Sequence, residues 1–224
     1  MAELRVKLAT QITQLVLIGG GEFSFGETRE IDELLIRSLP ADRRSVAFVP
    51  TASGSAEYAT HFGAYVKSID PAVETINVPI YRGRDARRVK NLNSLLGAGL
   101  VYLGGGVTNN FLATFNDSPA ASALRDAAAN GVIVAAIGAA ASCFGTHARD
   151  MRGTTSAVPA LGWLENTVVD TAFDPQNDTT LRRLMSIPGT ELGLGIPPRC
   201  ALVIRADGST ELAGSGTVAA FRKA

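Results

Sequence analysis

Gly131-Val-Ile-Val-Ala-Ala-Ile-Gly138-Ala-Ala-Ala-Ser-Cys-Phe-Gly145 opens as an unbroken apolar run, stops at a glycine and continues into small residues. Apolarity without alternation, as in Val132–Ile137, is what a strand covered on both faces requires, and that condition belongs to parallel sheets flanked by helices. Upstream, three further β-rich runs end in turn residues: Leu15-Val-Leu-Ile18 before Gly19-Gly-Gly21, Val46-Ala-Phe-Val49 before Pro50-Thr-Ala-Ser53, and Leu100-Val-Tyr-Leu103 before Gly104-Gly-Gly106. Val73–Ile80 supplies another strand. Between them lie helical segments at Thr28–Leu39, Ser55–Ile69, Asp85–Leu96 and Ser118–Ala129, the first carrying Ile31, Leu34, Leu35 and Leu39 at helical spacing. This alternation predicts an α/β, three-layer domain with a mostly parallel, flavodoxin-like sheet. Beyond Gly145 the texture changes to short segments at Asn166–Phe173, Cys200–Arg205 and Thr217–Phe221, with Asp207-Gly208 as a hairpin turn. They predict an antiparallel C-terminal extension of the same sheet, with a short helix at Thr179–Met185.

The 224 residues, 46% hydrophobic and 19% charged, fit a single domain over 1–224 with an ordinary buried core. Lys plus Arg equals Asp plus Glu at 21 each, so no net field exists to hold nucleic acid or an anionic membrane surface. Two cysteines, Cys143 and Cys200, and two histidines, His61 and His147, are too few and wrongly spaced for a zinc site, and a disulfide scaffold is excluded. Neither a metal nor an organic cofactor is expected. The N-terminal stretch has an acidic residue where a signal peptide is positive, which predicts a cytoplasmic protein. The longest apolar run, Val132–Phe144, is shorter than the ~20 residues of a membrane helix.

Ligands of open parallel sheets bind beyond the carboxyl ends of the strands. Three turns there stand out: Gly19-Gly-Gly-Glu22, Gly104-Gly-Gly-Val-Thr-Asn-Asn110 and Gly138–Gly145. Glycine allows close backbone approach and leaves N–H groups for an anion or oxyanion. A dinucleotide site does not fit: Ser24 stands where a third glycine belongs, and no acidic residue follows the second strand. The phosphate-loop pattern is absent. The third turn has the form of a nucleophile elbow, and counting two residues on from Gly138 leads to Ala140.

These residues resemble the dipeptidase E and cyanophycinase family of serine peptidases, which has a class I glutamine amidotransferase-like fold. Leu17-Ile-Gly-Gly-Gly-Glu22 resembles the family's first-strand motif, and Val49-Pro-Thr-Ala-Ser53 with Tyr58 and Phe62 its second strand and helix. Leu103-Gly-Gly-Gly-Val-Thr-Asn109 resembles the turn that helps form the oxyanion hole, and Gly131–Gly138 the strand entering the elbow. Val168-Val-Asp-Thr-Ala-Phe173 and Leu181-Arg-Arg-Leu184 resemble the segment that carries the catalytic histidine.

The resemblance implies hydrolysis of peptide bonds next to aspartate through an acyl-enzyme, a small acidic peptide or amino acid as ligand, and a homodimer. The departures bear on activity. Ala140 stands at the serine position and Ala172 at the histidine position, with Ser142 where a glycine follows. Asp150 or Glu165 is the candidate triad acid by position. Gly105, Gly106 and Ala141, with Thr108 and Asn109, form the implied oxyanion and substrate pocket. Ala provides neither nucleophile nor base, so the chain reads as catalytically silent, and Ser142 and Pro197-Pro198 favour divergence into a pseudoenzyme over a knock-out. One alternative is a hydrolase or amidotransferase-like enzyme using Cys143, near His147; another is a structural or assembly subunit. Asp170 is read as a turn cap.

Overall fold

The computed structural model describes residues 4–153 and 157–223; the first residues of the N-terminal stretch read for a signal peptide lie outside them. Along the chain come β1 (Gln14–Ile18), α1 (Arg29–Arg37), β2 (Ser45–Val49), α2 (Ala56–Ile69), β3 (Glu74–Asn77), α3 (Val89–Gly97), β4 (Leu100–Leu103), α4 (Thr108–Phe115), α5 (Pro119–Ala129) and β5 (Ile133–Ile137). Then follow α6 (Ala139–Ser142), β6 (His147–Arg149), β7 (Ala157–Pro159), β8 (Thr167–Thr171), α7 (Thr179–Met185), β9 (Leu192–Ile196), β10 (Cys200–Arg205), β11 (Thr210–Gly214) and β12 (Ala219–Arg222).

The main sheet has seven strands in the order β11-β10-β1-β5-β4-β2-β3. Its four inner pairings, from β1 to β3, run parallel, while β10 pairs antiparallel with both β1 and β11. The strands β3, β2, β4, β5 and β1 take the places of the doubly wound order 2-1-3-4-5, with the chain's first strand standing where a fifth would be. Successive side chains on each strand point to opposite faces. Val16, Ile18, Phe48, Tyr102 and Ile137 face α1 and α2, packing on Leu35, Phe62 and Val66. Leu15, Leu17, Val49, Val101 and Ala136 face α3–α5, packing on Leu95, Phe111, Phe115 and Leu124. Every residue of β5 is buried, as its apolar run requires.

The C-terminal half departs from the expected single sheet. Only β10 and β11, joined at Asp207-Gly208, extend the main sheet. The segments at 167–171 and 219–222 instead join β9 in a separate three-stranded sheet in the order β12-β9-β8, with β8 and β9 parallel and α7 covering it. Gly193 and Gly195 explain the register: a Cβ there would collide with Met185 and with the ring of Phe173. The hairpin β6–β7 and the helix α4 were not anticipated by periodicity. Where α6 leads into the loop, Phe144 meets the fully buried Trp163 edge-on at 4.8 Å between centroids. Trp163→Ala is expected to cost about 3–5 kcal/mol, read as a lower urea midpoint with unchanged slope.

Candidate functional site

The turns after β1, β4 and β5 converge with the end of β8 on a cleft of about 330 Å³, to which Gly20, Gly106, Gly138, Arg149, Asp170 and Ala172 contribute. Each of the three glycine-rich turns singled out in the sequence therefore reaches one place. A more open groove of about 750 Å³ between α3 and α5, lined among others by Arg87, Leu92 and Ser122, contains none of these turns.

The sharp strand-to-helix turn falls at Gly138, with φ 57 and ψ −125, between the last residue of β5 and the first of α6. This corrects the placement of the elbow at Ala140. Ala140 lies inside α6, fully buried in the core, and Ala141 is buried beside it. The elbow pattern wants small residues two positions either side of the turn residue, and Ala136 and Ala140 meet it around Gly138. Gly138 is thus the turn itself rather than the glycine preceding it. A Cβ built on Gly138 meets nothing within 4 Å, so a side chain there would enter open cleft. The residue that follows the turn and lines the cleft is Ala139, which takes the place expected of Ala141.

Opposite, Gly106 is required by contact: a Cβ would lie 2.3 Å from the carbonyl of Ala52. The amides of Gly105 and Gly106 meet no protein acceptor among the described residues. Thr108 and Asn109 brace the wall. The Thr108 hydroxyl donates to the Arg149 carbonyl at 2.7 Å, while the Asn109 amide donates to Asp150 at 2.9 Å and its carbonyl accepts from Met151 N at 2.9 Å. Asp150 is buried and also accepts from Arg152 N, so it holds this loop against α4. Glu165 is exposed on the loop before β8, its N–H bonded to the Lys7 carbonyl, and does not reach the cleft.

Residues 15–212 match the family model for peptidase family S51. The chain belongs to peptidase family S51. It is 29% identical over 156 residues to an uncharacterized peptidase, YgaJ, of Bacillus subtilis strain 168, covering 68% of this chain and 65% of that protein. The chain thus spans just under two thirds of the length of the curated relative it matches. Its fold is that of a crystal structure of a peptidase from an acI-B1 Actinobacterium, with a TM-score of 0.79 and 22% identity over 94% of this chain and 91% of that one. A candidate peptidase E protein from Listeria monocytogenes EGD-e superposes with a TM-score of 0.60 at 17% identity, over 95% and 100% of the two chains.

In this S51 chain the end of β8 carries the rest of the site. Ala172, in the left-handed region at φ 51, donates its N–H to the Gly19 carbonyl at 2.7 Å and presents only a methyl group to the cleft. Asp170 is a strand residue lining the cleft, not a turn cap. Burial pushes its carboxyl up to about 6, partly offset by the Arg149 guanidinium. Asp170 and Arg149 are the functional candidates that the sequence reading missed; the signal was an acidic residue within the β-branched run Thr167-Val-Val-Asp-Thr171.

Cys143 is overturned as an alternative nucleophile. It is fully buried, its thiol lies 3.1 Å from the Ala139 carbonyl, and burial drives its pKa far above the ordinary thiol range. The Ser142 hydroxyl is likewise committed to the Ala139 carbonyl at 2.8 Å. Among the described residues no cluster of three metal-ligating side chains occurs, and no helix is long and apolar enough to cross a membrane.

Two outcomes follow from these environments. Iodoacetamide leaves Cys143 unmodified in the folded protein and labels it after denaturation, as read by mass spectrometry. Asp170 has a folded pKa above its unfolded value, so its ionisation opposes folding above about pH 6 and that penalty fades as pH falls toward 4. Asp170→Asn therefore raises Tm at pH 7.5 by roughly 2–4 °C, the shift that about 1 kcal/mol after solvent screening gives in a chain of this size, and the gain vanishes near pH 4.

Proposed function

We propose that this chain uses the S51 peptidase scaffold to bind a small acidic peptide or amino acid without cleaving it through an acyl-enzyme. The observation that carries this reading is Gly138. The strained turn that presents a nucleophile in such elbows is retained here, but on a residue with no side chain. Acyl transfer needs a nucleophile and a base to take its proton, and Ala172 offers a methyl where the family resemblance calls for imidazole. No histidine is among the described residues lining the cleft. Loss of triad members typically lowers turnover by ~10⁴–10⁶-fold, with overlapping effects because they act as a unit.

Binding does not depend on those two side chains. The Gly105 and Gly106 amides, which meet no acceptor among the described residues, the open space at Gly138 and the charged groups of Asp170 and Arg149 remain. Homodimer formation and a single domain belong to the same reading; they rest on the resemblance and on the length. Family membership and a cleft assembled from three strand ends favour a ligand-binding role over a purely structural subunit.

The test is hydrolysis of an Asp-Xaa dipeptide panel by this chain and by a Gly138→Ser/Ala172→His double variant of verified folding. Cleavage by the double variant alone is expected; equal turnover by the unmodified chain overturns the silent reading.

A further inference from the structure

We propose that Asp170 and Arg149 form a zwitterion-reading pair: Asp170 receives the free amino group of the ligand, and Arg149 receives a carboxylate. This rests on the cleft being a binding site for a small peptide or amino acid, as proposed above, and adds what is recognised and by which atoms.

The two charges come from different elements, β8 and β6, and line the same cleft. Their side chains are not joined by an ion pair within 4 Å among the described residues, although the Arg149 guanidinium favours the ionised form of Asp170 through space. The remaining lining of the cleft is neutral: the turns after β1, β4 and β5 contribute glycine, alanine, serine and threonine, and the loop beyond β6 a methionine. Asp170 thus faces one cation, Arg149, and no other titratable side chain among the described lining residues. A half-buried carboxylate held away from its nearest cation pays desolvation without full compensation, and groups left in that condition cluster at binding sites. A ligand ammonium supplies the missing counter-charge, and a ligand carboxylate does the same for the guanidinium, whose planar fork suits it.

The space in the cleft fits the same chemistry. Gly138 has no Cβ and Ala172 only one, so the volume that two larger side chains would occupy stays open beside Asp170. At about 330 Å³ the cleft lies at the small end of ligand pockets, the size of an amino acid or dipeptide rather than a long chain. With the carboxylate carried by β8 and the guanidinium by β6, the pair sets a polarity on that ligand: amino group toward β8, acidic group toward β6.

The experiment is calorimetric titration with L-Asp-L-Ala and its N-acetyl derivative, on the full chain and on Asp170→Asn and Arg149→Gln, from pH 5 to 7.5. The free dipeptide is expected to bind the unmodified chain at least tenfold more tightly than the N-acetyl form. Its affinity falls about tenfold between pH 7.5 and pH 5, as a carboxyl titrating near 6 becomes protonated. Asp170→Asn abolishes both the discrimination and that pH dependence. Arg149→Gln moves the midpoint upward, because the guanidinium that favours ionised Asp170 is gone. This pH signature separates recognition from a merely structural effect, since a loosened cleft would weaken both ligands at every pH. If the free and acetylated dipeptides bind equally, and Asp170→Asn changes neither, the pair assignment is overturned while the binding site stands. If neither ligand binds the unmodified chain at any pH, the binding-site reading fails and the pair falls with it.

Discussion

Apolar burial on both faces of the parallel strands constrains everything else in this molecule. Val16, Phe48 and Tyr102 are sealed by α1 and α2, and Leu17, Val49 and Val101 by α3–α5. With both faces closed, the backbone leaves the sheet only at strand ends, and there the polar groups of the turns must find partners or face a ligand. The parallel direction then places the ends of β1, β4 and β5 side by side, because Ile18 pairs with Ile137 and Leu103 with Ala136. A cleft at that edge is a consequence of the pairing, and the glycines after each strand keep it from being filled.

The cleft wall is held by polar brackets rather than by more hydrophobic packing. Thr108 and Asn109 tie the start of α4 to residues 149–151, and Arg199 closes the other side by donating its N–H to the Gly20 carbonyl at 2.9 Å and its guanidinium to Glu27. Glu27 in turn accepts from Glu22 N at 2.9 Å. The Arg199 guanidinium, with that backbone donor, holds the Glu27 carboxyl below its ordinary range. These brackets keep the walls of the cleft in place around Gly138 and Ala172, neither of which contributes a polar side chain.

Much of this was legible in the linear pattern. The helices at Ala56–Ile69 and Thr179–Met185 agree with their periodic segments, and the Ser55 cap accepts from Tyr58 N as a helix start of that composition should. The helix at Thr108–Phe115 was hidden because it begins directly on a glycine-rich turn and opens with Thr-Asn-Asn, residues that read as loop. The elbow was displaced by two residues because a glycine followed by alanines has no side chain to mark which position occupies the turn. Only the φ and ψ of Gly138 distinguish it.

The sequence by itself determined the alternation of strands and helices, the three turns that could carry chemistry and the family they resemble, since these depend on local periodicity and on residue types at fixed spacing. Tertiary structure decided which C-terminal segments extend the main sheet and which build a second one, because pairing partners are chosen by packing between distant segments. It also brought Asp170 and Arg149 into one cleft and sent Cys143 into the core. Their charge and burial are properties of surroundings assembled from residues far apart in the chain, which no local pattern encodes.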